Sequence, residues 1–515
     1  MTKIKFNYKL LVVFQNMIQS ITKSIYLDYI DCAKNAWLKL HKPELKEFFE
    51  QSSGEKNLMS QGMQVEQLAQ ALFTGGTTIE MANGNSQDAI ALTKKHMEQK
   101  TPVLFQSTFA IDLFLVRNDV LCYDSQSDKW NLYEIKGTSS VAQAHIEDAA
   151  FQAIVLKAAR IDLGHIFIIH LNNQYKLGDY LDVNGLFSIV NVTDQVIASE
   201  QSVRTKMLQT KADLSQKDAD NVFCQCIYKS RTNHCNTFRY SHAHVPPYSV
   251  HDIARIVPKK LGYLVDSGSL HIDDIDDNVE LSKNQKLQIA VYKKQTPFID
   301  HELITQELDR LVYPLYFLDY ETNGQAIPRL KGFYPYQQMP FQFSLHVLNA
   351  PEDECQHFEY LHEADSDSSI VIIDKLQGHI GPVGTIVVWN QAFEKKINNE
   401  LAERHTQHLL FLDTINNRMY DLMAIFAKQM YVHHLFKGKT SIKSVLPVLC
   451  PELSYKSLNV QEGASASQAW FEMVHGDMSP EGRMKMAMDL RKYCQLDTYA
   501  MYAIWRYLWT MIKSM

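Results

Sequence analysis

Acidic side chains in the last third of the chain stand in an order that suits cation binding. Asp319 and Glu321 follow an apolar run, and Glu394 lies where a strand pattern changes to a helix pattern. Asp497 lies near the chain end, four residues after Tyr493. Carboxylates that meet at one point bind divalent cations, and a pair of cations can stabilise the attacking and leaving oxygens of a phosphodiester.

The spacing of these residues indicates which of them act together. Asp319 and Glu321 are two apart on an extended segment, so their side chains point to the same face. Tyr493 and Asp497 are four apart on a helix pattern and lie one turn from each other. We expect the aspartate to bind a metal and the tyrosine hydroxyl to orient an attacking water or to help deprotonate it.

The fourth carboxylate has two candidates. Glu394 and Asn390 lie at the start of a helix pattern, where Asn390 would position the carboxylate or the substrate. Asp421 is the competing acidic residue. We favour Glu394.

A second set of candidates lies in the first third of the chain. Glu134 and Lys136 share a face at a strand end, and Asp119 lies on the paired strand. Glu66 lies on an upstream helix and Gln152 on the helix that follows. Two acids for a metal and an ammonium for the phosphate charge can converge here. A solvent-facing strand end is the alternative.

Composition predicts a soluble protein of several domains. The chain has 515 residues, of which 46% are hydrophobic and 21% charged, so it is globular and holds two to four domains. The net charge of -7 argues against a basic surface over the whole molecule but not against a local basic groove. Eight cysteines in this length favour a reducing, cytoplasmic setting over a disulfide scaffold.

The chain contains no apolar run of about 18 residues, so we expect no membrane association. Residues 1–21 have lysines before a short apolar stretch. That stretch lacks a small-residue cleavage site, and we interpret it as a structured or fraying terminus, not a signal peptide.

The hydrophobic patterns predict an α/β fold in three parts. Residues 1–240 read as helix, β-hairpin, helix and strand, and residues 241–310 as a small helical connector in which Pro258 stops a short helix. Residues 311–515 read as strands followed by a long last helix that begins at Ser479. The alternation in 341–348 predicts a half-buried strand, and the acidic run 273–277 a solvated loop.

The C-terminal set resembles the DEDD exonucleases of the ribonuclease H-like fold, in their tyrosine variant. The histidine variant needs a histidine at the position of Lys492. Glu394 departs from the pattern, because the second motif usually ends in aspartate. The resemblance implies a Mg²⁺- or Mn²⁺-dependent 3′–5′ exonuclease that takes a single-stranded DNA or RNA end.

Three segments resemble a bacterial family of uncharacterised proteins, domain of unknown function 2779. They are 313–321, 335–342 and 441–447. The activity of that family is itself inferred. Around these segments, Tyr334, Tyr336 and Lys331 are candidates for contacts with a nucleic acid strand, or for loop packing.

The N-terminal set resembles the RecB-type PD-(D/E)XK nucleases, whose restriction-endonuclease-like core the resemblance implies for residues 1–240. It follows the pattern G-x-x-x-E, D, E-x-K and Q. The resemblance assigns catalytic roles to five residues: Glu66, Asp119, Glu134, Lys136 and Gln152. Of these, Asp119 and Glu134 would bind the metal.

One early and three late cysteines resemble the iron–sulfur staple of CRISPR-associated RecB-like exonucleases. They are Cys32, Cys224, Cys226 and Cys235. A 4Fe–4S cluster, a zinc site that uses His234 or His242, and free reduced thiols all remain open. The other four cysteines read as packing or surface thiols: Cys122, Cys355, Cys450 and Cys494.

These observations predict a metal-dependent nuclease with two nuclease-like modules in one chain. A catalytically inactive nucleic-acid-binding or scaffolding protein built from nuclease folds is the alternative. A third possibility is that the N-terminal module alone acts, on DNA ends.

Overall fold

The computed structural model describes residues 20–81, 84–276 and 278–514. The chain divides into two compact units. The first contains Met1–Gln51, Leu58–His244 and Ala326–Pro335, and the second contains Ser52–Asn57, Val245–Gln325 and Tyr336–Met515. The prediction for the chain start therefore lies almost wholly outside the described residues.

The first unit is built on a seven-stranded mixed sheet. Its strands are β1 Ile21–Thr22, β2 Thr77–Thr78, β3 Val103–Ile111, β4 Phe114–Asp124, β5 Lys129–Lys136, β6 Leu163–Leu171 and β7 Phe187–Asn191. The order is β2-β3-β4-β5-β6-β7, with β1 paired to β4. Strands β3, β4 and β5 run antiparallel, whereas β5 and β6 are parallel.

Among the described residues, eight α-helices accompany this sheet. They are α1 Lys23–Asp31, α2 Ala33–His41, α3 Ser53–Ala69, α4 Ser86–Glu98, α5 Gln143–Ala158, α6 Val183–Leu186, α7 Thr193–Leu214 and α8 Phe238–Ser241. Helix α5 is buried along most of its length, and its apolar residues share a core with β4, β5 and β6. The predicted order of hairpin, helix and strand is confirmed by β3, β4, β5, α5 and β6.

The second unit has two sheets and ten α-helices among its described residues. Its strands are β8 Phe298–Ile299, β9 Leu315–Asn323, β10 Met339–Leu348, β11 Gln356–Leu361, β12 Thr385–Val388, β13 Met419–Asp421 and β14 Tyr431–Val432. Its helices are α9 Pro258–Asp266, α10 Lys283–Lys294, α11 His301–Asp309, α12 Ser369–His379, α13 Gln391–Arg404, α14 Leu409–Asn417, α15 Ala424–Ala427, α16 Ile442–Leu449, α17 Gly463–His475 and α18 Pro480–Lys513.

Five strands of this unit form one sheet in the order β11-β10-β9-β12-β13. The first three along the chain are antiparallel, and β12 and β13 run parallel to β9. The predicted start of the last helix is confirmed, since Ser479 Oγ accepts the amide of Gly482 at 3.1 Å and Pro480 occupies the first turn.

The predicted half-burial of strand β10 is wrong, because all ten of its residues are buried. Phe343, Leu345 and Val347 join a core with α12, as expected. The polar positions face α18 instead of water: Ser344 Oγ and His346 Nδ1 lie 2.6 and 2.8 Å from the Thr498 hydroxyl. The alternation in β10 therefore corresponds to two buried faces, and the polar side chains of one face are hydrogen-bonded to α18.

The segment predicted as a connector, 241–310, belongs to the second unit from Val245 onward and has its own small apolar core there. Strand β8 within it pairs with β14. Pro258 begins α9 at its first position and does not end a helix. Proline suits that position because the first turn leaves its amide groups unbonded. No helix in the described part of the chain is both long enough and apolar enough for a bilayer crossing.

Candidate metal centres

The C-terminal acidic cluster consists of Asp319, Glu321, Glu394 and Asp497. Asp319 and Glu321 alternate with buried apolar residues on β9, so both face α18, which carries Asp497. Glu394 lies in the first turn of α13, directly after β12. Because β9 and β12 are parallel neighbours, their carboxyl ends meet at one edge of the sheet. Three elements of the chain therefore bring these carboxylates together.

The carboxylates of this cluster repel one another in a buried setting. Burial raises the pKa of Asp319 well above its ordinary value, and the Asp497 carboxylate adds to the effect. Burial likewise raises the pKa of Glu321 and of Glu394, each with contributions from neighbouring cluster members. Burial raises the pKa of Asp497 to about 6. The four predicted acids therefore lie close enough together to influence one another's pKa.

Few groups compensate these carboxylates. Oxygen atoms of Asp319 and Glu321 and the sulfur of Cys494 lie within 4.8 Å of one another. Oε2 of Glu394 is buried and has no hydrogen-bond partner among the described residues. Such an unpaired buried oxygen is costly unless a proton or a metal ion meets it. Oxygen-rich sites of this kind suit Mg²⁺ or Mn²⁺.

Two polar residues that the sequence reasoning missed complete the cluster. The Tyr455 hydroxyl donates to Oδ1 of Asp497 at 2.5 Å. Lys443 Nζ lies 5.4 Å from the ring centroids of both Tyr455 and Tyr493, and it donates to the Tyr493 hydroxyl at 3.4 Å. Lys443 lies in segment 441–447, which carried the family resemblance, and this was the available signal for it.

Cys494 was predicted as an ordinary packing or surface thiol, and its place in the fold is more specific. It is fully buried, and its Sγ lies 3.9 Å from Oδ2 of Asp319. Its position next to Tyr493 on the last helix was a signal, because neighbours of a site residue on a buried helix face the same sheet.

Tyr493 lies against the cluster as its helical spacing predicted. Burial raises the pKa of its phenol, and the carboxylates of Asp497, Glu321 and Asp319 raise it further. The phenol therefore stays protonated near neutral pH. A protonated hydroxyl orients water by hydrogen bonding, and it is a poor base.

Asp421 stands apart from the cluster. Its carboxylate accepts the backbone amides of Asn390, Gln391 and Met423 at 3.1 to 3.4 Å. This places it as a cap for the start of α13. Asn390 is exposed and has a left-handed backbone with φ of 83°. Of the two candidates for the fourth carboxylate, Glu394 is the one that joins the cluster.

The N-terminal cluster brings together all five residues predicted for it. Val120 pairs with Tyr133, so Asp119 and Glu134 are neighbours on β4 and β5. Oδ2 of Asp119 accepts the amide of Ile135 at 2.8 Å.

Hydrogen bonds join Gln152 and Lys136 to Glu134, and Glu66 interacts with Glu134 through charge. Nε2 of Gln152 donates to Oε2 of Glu134 at 2.6 Å, and Lys136 Nζ donates to Oε1 at 2.8 Å. Glu66 accepts a bond from Gln106, and the Glu134 carboxylate contributes to a raised pKa of Glu66 that burial mainly causes.

Two further residues of this cluster were missed. Lys23 Nζ donates to Oε1 of Glu134 at 2.7 Å, and Asp148 Oδ2 accepts from Lys136 Nζ at 2.5 Å. Asp148 lies one helical turn before Gln152, which was a usable signal. Lys23 is 111 residues from Glu134, and no local pattern marks it.

The N-terminal cluster balances its most buried charge internally. Burial alone would raise the pKa of Glu134, but the ammonium groups of Lys23 and Lys136 outweigh it and hold the pKa below its ordinary value. Burial raises the pKa of Asp119 well above its ordinary value, with Glu134 adding to the effect. Glu134 is therefore ionised and paired, whereas Asp119 is the member that gains from an added cation.

Four cysteines form a buried group in the first unit. The Sγ atoms of Cys32, Cys224, Cys226 and Cys235 all lie within 4.8 Å of one another. Cys224 is 3.6 Å from Cys32 and 3.9 Å from Cys235, and its pKa is lowered by hydrogen bonds from the other three thiols. The group is the one that the sequence predicted.

The histidines considered for this group make other contacts. Nε2 of His234 lies 3.0 Å from the carbonyl of Lys229, and Nε2 of His242 lies 3.3 Å from the carbonyl of Cys224. All eight cysteines, which lie in the described residues, are free of disulfides.

The three residues considered for contacts with a nucleic acid strand are divided between the two units. Lys331 and Tyr334 belong to the first unit and Tyr336 to the second. Lys331 Nζ pairs with Asp179 at 2.6 Å on the surface. Its charge is thus already partnered.

Relatives of this chain are uncharacterised. "Uncharacterized protein UU173" of Ureaplasma parvum is 27% identical over 209 residues, which are 36% of this chain and 30% of that protein. "Uncharacterized protein MG366 homolog" of Mycoplasma pneumoniae is 27% identical over 206 residues, 36% of this chain and 31% of that protein. "Uncharacterized protein MG366" of Mycoplasma genitalium is 25% identical over 216 residues, covering 38% and 32%.

The matched stretch thus spans about a third of the length of these curated relatives. No solved structure matches the chain. Residues 316–441 match the family model described as "Domain of unknown function (DUF2779)", which supports the family resemblance seen in the sequence.

Proposed function

We propose that the second unit is a metal-dependent nuclease, a 3′–5′ exonuclease that acts on single-stranded ends by two-metal phosphodiester hydrolysis. The observation that carries this proposal is the C-terminal acidic cluster. Three buried carboxylates and the half-buried Asp319, from β9, α13 and α18, influence one another's pKa there with one lysine nearby. Carboxylates that are buried together with so few cationic partners require bound protons or cations. Mg²⁺ or Mn²⁺ is the class of ion that oxygen ligands of this kind hold.

Each side chain of the cluster has a role in the proposed reaction. Asp319, Glu321, Glu394 and Asp497 hold the ions, which when bound supply charge stabilisation to the attacking and leaving oxygens. Tyr493 orients the attacking water through its protonated hydroxyl. The Tyr455 bond to Asp497 fixes the orientation of that carboxylate, as partners of metal ligands commonly do.

The sheet of the second unit also supports this proposal. Its central strand is the first along the chain, with two antiparallel strands on one side and two parallel strands on the other. A ribonuclease H-like fold has this arrangement, and the acidic residues lie on its central strand and last helix, where the DEDD resemblance expects them.

Degradation of labelled single- and double-stranded DNA and RNA tests the proposal. With Mn²⁺ or Mg²⁺, the wild-type chain is expected to shorten single strands from the 3′ end. Asp319→Ala and Asp497→Ala are expected to lose this activity by about a thousandfold or more, because each removes a cation ligand.

The control for this assay is Asp421→Ala, which removes an acid of the same region that caps α13. It is expected to keep activity once its folding is verified by circular dichroism. Asp319 and Asp497 variants that digest like wild type would falsify the assignment.

A second nuclease site in the first unit is favoured by the convergence of Glu66, Asp119, Glu134, Lys136 and Gln152 on one cluster. Asp119 and Glu134 would hold the metal there, and Lys136 would stabilise charge on the phosphate. If this site acts on DNA ends, Lys136→Ala abolishes degradation that persists in Asp319→Ala.

An inactive nucleic-acid-binding or scaffolding protein is the alternative from another class. Calorimetric titration with Mn²⁺ separates the two. Binding heat that disappears in Asp319→Ala supports the nuclease, and the absence of any heat in the wild-type chain supports the scaffold.

For the four cysteines we propose a single zinc ion that joins the start of the first unit to its end. A tetrahedral zinc with bonds of about 2.3 Å holds its sulfurs about 3.8 Å apart. A 4Fe–4S cluster places each cysteine on a different iron, which separates the sulfurs by roughly 6 Å. The Sγ separations of 3.6 and 3.9 Å support the mononuclear site.

Metal analysis of the purified chain decides between these ions. One zinc per chain is expected, with cysteine-to-metal charge-transfer absorption after cobalt substitution. Cys32→Ser is expected to lose the zinc and to lower the unfolding temperature, whereas Cys122→Ser, a thiol outside the group, keeps both. A brown protein with several irons per chain contradicts the zinc assignment.

A further inference from the structure

A basic groove of about 700 Å³ lies in the second unit, outside the acidic cluster. One wall comes from the helical segment around α9 and α10, and the other from residues 426–440. Four cationic residues line it: Arg255, Lys260, Lys283 and Lys439. Among the described residues that line the groove, none is an aspartate or a glutamate.

The cations of the groove have no internal counter-ions. Within the described chain, no carboxylate pairs with Arg255, Lys260, Lys283 or Lys439, although ion pairs are frequent elsewhere in the molecule. Three of them are exposed and Lys260 is partly exposed. In a chain with a net charge of -7, such a one-signed lining is a local exception that attracts anions.

The walls of the groove are packed against each other and do not merely approach. Gly438 has φ of +72°, and an added Cβ there would lie 2.5 Å from Nε2 of Gln288 and 2.7 Å from the carbonyl of Asp252. Gln288 itself accepts the amide of Ala254 at 2.9 Å. Strand pairing of β8 with β14 joins the same two parts of the chain.

The positive end of a helix adds to this charge. Helix α10 begins at Lys283, and Ser282 caps it by accepting the amide of Gln285 at 3.3 Å. Ser282, Lys283 and Asn284 all line the groove. Helix N-termini carry partial positive charge, which reinforces the four side-chain cations.

Two short chain segments connect residues at the groove to residues of the C-terminal acidic cluster. Nε1 of Trp389 donates to the carbonyl of Thr440 at 3.2 Å, and its ring stacks on Phe426. Trp389 follows β12 and precedes Glu394 by five residues. Thr440 in this wall also lies three positions before Lys443, which donates to the Tyr493 hydroxyl at 3.4 Å.

We propose that the basic groove binds the phosphate backbone of a single-stranded nucleic acid and directs its end to the C-terminal acidic cluster. This inference rests on the proposed nuclease function and names its substrate path. Phe426, Tyr431 and Phe436 are buried in the wall, so they offer no exposed rings for base stacking. Because the lining cations contact phosphates and not bases, we expect binding to be independent of sequence and to depend strongly on salt.

Fluorescence anisotropy with a labelled oligothymidine in EDTA tests the groove without turnover. The test variant is Lys283→Glu with Lys439→Glu. The matched control is Lys485→Glu with Lys513→Glu, two exposed lysines of α18 outside the groove. Each pair changes the net charge by -4, from -7 to -11.

The groove variant is expected to bind roughly tenfold more weakly, and its salt slope to fall by about 1.4, since each single-strand phosphate contact contributes about 0.7. The control is expected to bind within about twofold of wild type. If both variants lose the same affinity for the oligothymidine, or if the wild-type chain does not bind it, the proposal that the groove binds nucleic acid is wrong.

Hydrolysis assays keep this inference separate from the nuclease proposal. If the wild-type chain degrades single strands and the groove variant binds them as well as the control does, the groove proposal is wrong and the nuclease proposal is supported. If binding depends on the groove but no hydrolysis occurs, the groove is supported and the nuclease is wrong.

Discussion

The two acidic clusters each contain four carboxylates, but they neutralise their charge differently. In the N-terminal cluster, Lys23 and Lys136 lie 2.7 and 2.8 Å from the same oxygen of Glu134, and the pKa of Glu134 is low. In the C-terminal cluster the nearby lysine, Lys443, lies over two tyrosine rings, and every carboxylate pKa is raised.

This difference separates a cluster in which one carboxylate, Glu134, is held ionised by two ammonium groups from a cluster in which the pKa of every carboxylate is raised. A buried carboxylate that has an ammonium partner is stable as an ion, whereas one surrounded by other carboxylates takes up a proton or a metal. The C-terminal cluster is therefore the stronger candidate for a site whose occupancy depends on divalent cations. The following predictions would break or sharpen the contrast.

The largest expected effect is an opposite response to charge removal in metal-free protein. Glu134→Gln leaves Lys23 and Lys136 without their shared carboxylate, which should cost about 3–5 kcal/mol of unfolding free energy. Asp319→Asn removes a repelling charge and should increase the unfolding free energy at pH 7. Urea unfolding in EDTA measures both. Destabilisation of the same size in the two variants would refute the contrast.

Asp497 and Glu134 should change the unfolding free energy with pH in opposite directions. The pKa of Asp497 is raised to about 6, so its contribution is fully present below its unfolded pKa of about 3.9 and is lost as the pH rises through 6. The loss is on the order of 3 kcal/mol. The low pKa of Glu134 acts in reverse: its contribution is present above about pH 4.3 and is lost as the pH falls.

Melting temperatures in EDTA, compared with those of Asp497→Asn and Glu134→Gln, measure these two terms. The Asp497 variant should flatten the decline of stability between about pH 4 and 7. An unchanged decline in that variant would count against an uncompensated Asp497.

Added metal should stabilise the C-terminal cluster more than the N-terminal one. Mn²⁺ at about a hundred times its dissociation constant contributes about 2.7 kcal/mol. This gain should persist in Glu134→Gln and disappear in Asp319→Asn, as read from thermal unfolding with and without Mn²⁺. If the stabilisation by Mn²⁺ is lost in Glu134→Gln and kept in Asp319→Asn, the principal metal site lies in the first unit.

The smallest effect is expected from Lys443→Met. It removes a hydrogen bond to the carbonyl of Gln461 at 2.6 Å and two cation–π contacts, worth about 1–2 kcal/mol together. The exposed Lys485→Met serves as the control and should change the unfolding free energy by less than about 0.5 kcal/mol. Equal values in the two variants would show that Lys443 is not part of the cluster.

Local patterns predicted much of the candidate sites. Period two placed Asp319 with Glu321, and one helical turn placed Tyr493 with Asp497. The same reasoning failed for β10, because alternation does not reveal whether the polar face meets water or Thr498 of a distant helix. It also failed for Pro258, whose fixed backbone angle permits both the end and the start of a helix.

The sequence by itself determined which acidic side chains share a face and where the last helix begins, whereas the group of four cysteines was predicted from a family resemblance. Only the tertiary structure decided how each cluster is neutralised. Lys23 meets Glu134 across 111 residues, and Tyr455 meets Asp497 across 42. Backbone geometry repeats over a few residues and so is readable locally, whereas the charge balance of a buried site depends on which distant elements pack around it.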